Sequence, residues 1–279
     1  MKLNIRILCF LILILMLVPL LFACGSQNEE GESDLSESSA ETVDYGDNFP
    51  ILKNGEYTVR AIMPDSPSDT EKAVYSKLRS SLGGKTKVKV ESYGLENIPE
   101  EDGFIFFPNH QGMYDVLVFL DSCPRPFSFV IKKEASNIIL LKQIVAALEA
   151  YPMDRDDVRQ SMQVIMKVTE DVKNGRNFLI FPEGTRSRMG NKLLDFKGGS
   201  FKSATKAKAP IVPCALIDSF KPFDEKSLQP VTVKVIYMKP MYYEEYKDMK
   251  TTEIAAEVKR RIEKTIEEFL ENSESQKIS

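Results

Sequence analysis

Phe104-Ile105-Phe106-Phe107-Pro108-Asn109-His110-Gln111-Gly112-Met113-Tyr114-Asp115 reads as a strand, a sharp stop and the approach to a helix. Phe104 to Phe107 is short, apolar and aromatic, which is strand composition. Pro108 keeps the strand from continuing as a helix, and the polar, glycine-containing run after it leads to an acidic residue suited to a first helical turn. Four further runs share the strand character: Phe127 to Ile131, Phe178 to Phe181, Ile211 to Ile217 and Val231 to Tyr237. Helical patterns lie between them. Asp156 or Asp157 can cap a helix whose apolar positions are Val158, Met162, Ile165, Val168 and Val172, and Gly175 can end it. Ile138 to Leu148 is more continuously apolar, a helix that is either buried or touching membrane. A last helix, about Thr252 to Glu271, carries Ile254, Val258, Ile262, Ile266 and Phe269 on one face, most simply a docking stripe. Strands alternating with helices predict an α/β fold, a single domain with a mostly parallel sheet flanked by helices.

Outside this domain the chain changes character twice. Residues 1–24 are a hydrophobic segment, apolar from Ile7 to Ala23 after the basic Lys2 and Arg6. As a helix that run would be about 25 Å long, at the short edge of what spans a bilayer. It reads as a signal anchor or as a cleaved bacterial lipoprotein signal, because Leu21-Phe22-Ala23-Cys24 has a lipobox-like ending that would leave Cys24 lipidated. Either way the expected location is a bacterial cell membrane, with the side left open. Residues 25–48 form an acidic, Ser-rich tether in which every charge is negative, and residues 49–279 form the folded domain. The tether's eight carboxylates exceed the chain's net charge of −4, so the folded part is slightly basic. That balance argues against a nucleic-acid binder and suits one local pocket for an anionic ligand. Cys123 and Cys214 are far apart, show no metal-ligand spacing and read as buried small hydrophobes.

The chain holds a single histidine, His110, so a His-rich zinc site cannot be assembled and any imidazole proton transfer must pass through one position. Asp115 follows five residues later. On a regular helix these side chains would diverge by about 140°. They meet more easily with His110 on the loop and Asp115 in the first helical turn, where the carboxylate can fix the tautomer and leave the other nitrogen free to take a hydroxyl proton. Asp115 as a mere helix starter is the plainer alternative. The second run, Phe178 to Ser187, ends a strand at Pro182 and then presents Glu183, Gly184, Thr185 and Arg186 on a turn. A guanidinium, a hydroxyl and backbone amides suit a phosphate. Lys197-Gly198-Gly199-Ser200 can add donors at a helix start.

Together these runs resemble the glycerolipid acyltransferase family, the lysophosphatidate acyltransferases in particular. The family's His-x4-Asp signature matches His110 to Asp115 within Asn109-His110-Gln111, and its Phe-Pro-Glu-Gly-Thr-Arg signature matches Phe181 to Arg186. A Lys-Lys-Glu run matches Lys132-Lys133-Glu134, and a later apolar-Pro motif matches Ile211-Val212-Pro213. The resemblance covers roughly Val88 to Tyr237. One element departs: a Gly-x-x-Phe-Ile-Asp-Arg-like stretch is here Glu149-Ala150-Tyr151-Pro152-Met153-Asp154-Arg155, which keeps Asp-Arg and loses the glycine. That departure bears on acceptor preference more than on activity.

The resemblance implies direct transfer of a fatty acyl group from acyl-CoA or acyl carrier protein to the sn-2 hydroxyl of lysophosphatidate. His110 would be the general base and Asp115 its orienting partner. Arg186, with Lys132 or Lys133 and Arg155, would hold the phosphate. Glu183 would position Arg186 or a glycerol hydroxyl, and Asn109, Gly184 and Thr185 complete the expected binding set. No metal or cofactor is called for; the thioester is a co-substrate and the acceptor a membrane lipid. Rival readings are another lysophospholipid or glycerol 3-phosphate as acceptor, and an exported, non-catalytic lipoprotein with an inherited acyltransferase-like domain.

Overall fold

Strand geometry sends alternate side chains of Phe104 to Phe107 to opposite faces. Phe104 and Phe106 enter one apolar core and Ile105 and Phe107 the other, all four fully buried. A strand that is apolar on both faces belongs inside a sheet covered on both sides. The computed structural model describes residues 88–136, 145–146, 148–224 and 230–278. The N-terminal segment, the acidic tether, the start of the expected domain and most of the expected helix 138–148 lie outside the described residues.

The described chain runs β1 (Val88–Tyr93), β2 (Ile105–Pro108), α1 (Asp115–Ser122), β3 (Ser128–Lys132), β4 (Tyr151–Met153), α2 (Val158–Lys173), β5 (Phe178–Leu179), α3 (Lys202–Ala207), β6 (Ile211–Ile217), β7 (Val231–Tyr237) and α4 (Thr251–Ile278). The strands form a mixed seven-stranded sheet in the order β1-β7-β6-β2-β5-β3-β4. Every neighbouring pair is parallel except β6 with β7. All five expected strands are present, but β5 is shorter than Phe178 to Phe181. Ile180 donates one more bond to the Phe106 carbonyl and the chain then turns at Pro182. Two strands, β1 and β4, were not expected. β1 is a half-buried edge strand carrying charges between its valines, and β4 has three residues, of which Pro152 lacks an N–H.

Helices cover both faces. α1 packs Leu117, Val118, Phe119 and Leu120 against Phe104 and Phe106. On the other face, α2 contributes Val164, Val168 and Val172, and α4 contributes Ile254, Val258, Ile262 and Ile266. The α4 stripe is therefore a docking face, with Phe269 packed at its edge. α2 starts where Asp157, rather than Asp156, accepts from the Arg159 and Gln160 amides. Its buried side is rotated from the expected one, since Val158 is exposed and Val164 is buried. Cys123 and Cys214 are both fully buried, and burial pushes the Cys214 thiol well up.

Opposite the site end of the sheet, Arg176 is buried between Glu149 and Asp171, at 2.8 Å from each. Glu149 adopts a positive φ of 47°, in the left-handed region where glycine is favoured. This is the position where the resembling family carries its glycine. Here the pairing with Arg176 holds a residue with a Cβ in that conformation.

Ile262 lies at the centre of the α4 contact and is fully buried. Ile262→Ala should lower unfolding free energy by about 2–5 kcal/mol in chemical denaturation. An unchanged midpoint would show that α4 is not docked through this stripe.

Candidate active site

β2 and β5 are parallel neighbours, so their carboxyl ends release two loops side by side. The loop after β2 carries Asn109 to Tyr114 and leads into α1, whose first residue is Asp115. His110 is thus on the loop and Asp115 at the helix start. His110 Nδ1 lies 2.8 Å from Asp115 Oδ2. The Asp115 carboxylate is fully buried and also accepts from the Gln111 amide at 2.7 Å, the Gly112 amide at 3.0 Å and the Ser219 hydroxyl at 2.6 Å. A carboxylate so placed only accepts, so the Nδ1 proton points to it and Nε2 is the unprotonated nitrogen. The imidazole is also stacked on Phe181, with ring centroids 4.0 Å apart. Its side chain is 19% exposed, enough for a substrate hydroxyl to reach it.

The loop after β5 grips the first loop through main-chain atoms. Glu183 Oε1 accepts from the His110 amide at 2.7 Å, and Oε2 accepts from the Leu194 amide at 3.0 Å. The Ser187 amide donates to the His110 carbonyl at 2.8 Å. Glu183 is 2% exposed, and burial pushes its carboxyl up to about 7 although the two amides pull it down. Gly184 has φ 72°, a left-handed conformation that turns the chain past the Lys197 side chain.

Several expected binding residues face inward instead. Asn109 is buried and fastened to Leu216, donating to its carbonyl at 3.0 Å and accepting from its amide at 2.7 Å. The amide oxygen and one N–H of Asn109 are used in this pair of bonds, which joins β2 to β6. Glu183 likewise braces the His110 loop, with both carboxylate oxygens accepting from backbone amides. Lys132 pairs with Glu134 and Lys133 with Asp154, each at 3.2 Å on the surface. Thr185 is exposed, and Gly184 lies along a cavity wall.

The basic residues expected to share one phosphate are divided between two cavities. Arg186 lines a cavity of about 500 Å³ with Arg188, Gly190 and Phe220. Arg155 lines a second, of about 220 Å³, with Lys197, Gly184 and an apolar wall that includes Val130, Val164, Ile180 and Phe181. Phe181 is thus shared between that apolar wall and the His110 ring. Ser219, Asn191, Arg188 and Phe220 were not expected. Ser219 and Phe220 follow the buried strand β6 and carry no local signature; Arg188, two residues after Arg186, extends the basic run and could have been noticed.

Residues 89–217 match the acyltransferase family model, so the resemblance read from the motifs is borne out. The chain is 32% identical over 171 residues to the chloroplastic 1-acyl-sn-glycerol-3-phosphate acyltransferase BAT2 of Brassica napus, covering 60% of this chain and 49% of that one. It is 30% identical over 132 residues to the 1-acyl-sn-glycerol-3-phosphate acyltransferase of Borreliella burgdorferi, covering 47% and 52%. The chain therefore spans about half the length of these curated relatives. Among solved structures, it is similar to the 1-acyl-sn-glycerophosphate acyltransferase PlsC of Thermotoga maritima, with a TM-score of 0.54 and 25% identity over 71% of this chain and 78% of that one.

The Glu183 shift makes stability depend on pH. Its folded value lies above the ordinary carboxyl value of 4.5, so the native state holds a proton that the unfolded chain has released. Stability from this group is intact below about pH 4.5, falls as pH rises and levels off above about pH 7. Glu183→Gln removes the titration. The wild-type advantage over Glu183→Gln should shrink by roughly 3 kcal/mol between pH 4 and pH 8 in urea denaturation. A constant difference would mean that the carboxyl ionises alike in both states.

Proposed function

We propose that the chain transfers a fatty acyl group from an acyl thioester, acyl-CoA or acyl carrier protein, to the sn-2 hydroxyl of lysophosphatidate, giving phosphatidate. The observation that carries this reading is the His110–Asp115 pair, whose imidazole stacks on Phe181 in the wall of a mainly apolar cavity and whose carboxylate is bonded by Ser219, the neighbour of Phe220 in the cavity of Arg186 and Arg188. A phosphorylated lipid with a free hydroxyl needs those three features together.

Nε2 of His110 takes the proton as the hydroxyl oxygen attacks the thioester carbonyl. Asp115 holds the ring and balances the imidazolium that forms. The tetrahedral intermediate collapses with cleavage of the carbon–sulfur bond, and the imidazolium returns the proton to the departing thiolate. The products are the ester and a free thiol, and the base is regenerated. Positioned base catalysis contributes typically 10²–10⁴-fold, and alignment of the two substrates supplies much of the remainder. Arg186 and Arg188 hold the acceptor phosphate, since guanidinium groups match phosphate oxygens in pairs. The apolar cavity beside Phe181 receives acyl chain.

The N-terminal apolar run is proposed to attach the domain to a bacterial cell membrane, as a helix or through a lipidated Cys24. Among the described residues no helix is long and apolar enough to cross a membrane.

Purified chain incubated with labelled acyl thioester and a panel of lysophosphatidate, other lysophospholipids and glycerol 3-phosphate should label phosphatidate fastest. His110→Ala should lower the rate at least 10²-fold with the circular dichroism spectrum retained. Arg186→Ala should raise KM for lysophosphatidate about tenfold with less effect on kcat. Wild-type turnover by His110→Ala, or faster labelling of a different acceptor, would overturn the assignment.

A further inference from the structure

We propose that Ser219 is a positioning residue for the His110–Asp115 pair, setting the carboxylate's orientation and charge through its hydroxyl from outside every recognised motif. The proposal rests on the catalytic reading of His110 only for its kinetic arm.

Ser219 lies two residues beyond the end of β6 and just past the stretch that matches the family model. It is fully buried, and its Oγ lies 2.6 Å from Asp115 Oδ1 and 2.9 Å from Gln111 Oε1. A hydroxyl has one proton to give. The carboxylate is both the nearer and the charged acceptor, and Gln111 Oε1 already accepts from the Ser219 amide at 2.9 Å. The hydroxyl proton therefore goes to Asp115.

The turn that delivers Ser219 is built for the purpose. Asp218 has a positive φ of 63°, an uncommon conformation for a residue with a side chain. Asn191 secures it from both sides, accepting from the Asp218 amide at 2.9 Å and donating to its carboxylate at 3.1 Å. Lys221 pairs with the same carboxylate at 2.9 Å. The His110 loop also comes close, because a Cβ on Gly112 would stand 2.9 Å from the Phe220 Cα. Phe220 in turn lines the cavity of Arg186 and Arg188. One turn therefore touches both the proton-transfer pair and the cationic cavity.

The two oxygens of Asp115 divide the work. Oδ2 faces His110 Nδ1 and the Gln111 amide, Oδ1 faces Ser219, and the Gly112 amide is shared at 3.0 Å from Oδ1 and 3.1 Å from Oδ2. A donor on Oδ1 draws charge away from Oδ2. Removing it leaves the carboxylate more negative toward the imidazole, which favours imidazolium. The other charged groups nearby are Glu183, bonded to the His110 amide, the Asp218–Lys221 pair on the Ser219 turn, and the guanidinium groups of the adjoining cavity. Among the described residues, the bonds to Asp115 Oδ1 come from the Ser219 hydroxyl and the Gly112 amide.

Because the chain has one histidine, the imidazole resonances of the full-length protein report on His110 alone. In Ser219→Ala the His110 titration midpoint should rise by about half a pH unit or more relative to wild type. Ser219→Thr, which keeps a hydroxyl, should restore it. If Ser219→Ala does not fold, Ser219→Cys supplies a weak donor of similar size and should give a smaller upward shift. In the acylation assay Ser219→Ala should lose about tenfold in kcat with KM for lysophosphatidate within about twofold, and the acidic limb of the pH–rate profile should move up with the midpoint. A midpoint unmoved in Ser219→Ala, or in Ser219→Cys where alanine does not fold, would overturn the proposal, even with activity reduced. The spectroscopic arm needs no turnover. A moved midpoint in Ser219→Ala, beside a wild type that acylates nothing, would leave Ser219 as the positioning residue and reject the acyltransferase reading instead.

Discussion

A fully buried carboxylate, Asp115, is the constraint on which the site depends. A carboxylate out of water must be supplied with donors or it will protonate. Here they are an imidazole N–H, two amides of the loop after β2 and a hydroxyl from beyond β6. Those groups come from two places in the chain, the loop after β2 and the turn after β6, and they can meet only if β2 and β6 are neighbours in register. The Pro108 to Cys214 pairing and the two hydrogen bonds between Asn109 and Leu216 supply that register. The charge that prepares the histidine also ties strand ends together.

Glu183 is a second buried carboxylate with a different task. It accepts from the His110 and Leu194 amides and so binds the loop after β2 to the loop after β5. Asp115 accepts from an imidazole, two amides and a hydroxyl, whereas Glu183 accepts from two amides and burial pushes its carboxyl up to about 7. The two acids thus differ in their surroundings, one facing the histidine ring and the other fixing loop geometry. Around them lies an aromatic and aliphatic core on both faces of the sheet, in which Phe106 contacts Phe104, Phe119, Phe127 and Tyr237. That rigidity keeps strand ends fixed enough to hold a hydrogen-bonded pair in one geometry.

The five expected strands, the Asp157 cap region, the α4 stripe and the meeting of His110 with Asp115 were legible because each depends on residues close in sequence. β1 and β4 were less so: one is an edge strand diluted by charges, the other too short to carry a period. The binding roles expected of Asn109 and Glu183 rest on their place in motifs, whereas the structure shows both side chains bonded to other segments of backbone. Both are polar residues in motifs, and polarity does not reveal whether a side chain faces a ligand or another segment of backbone. Arg155 and Arg186 are grouped by the resemblance, yet the turns after β4 and β5 carry them to different cavities.

The sequence by itself determined the α/β class, the single imidazole and the acid that partners it, because apolar periodicity and short spacing act within a dozen residues. Which groups complete the site was decided only by tertiary structure. Ser219 stands more than a hundred residues from Asp115 and reaches it because β6 lies beside β2. No local pattern marks a serine for that contact. The buried charge it satisfies exists only once the sheet has formed and water has been excluded.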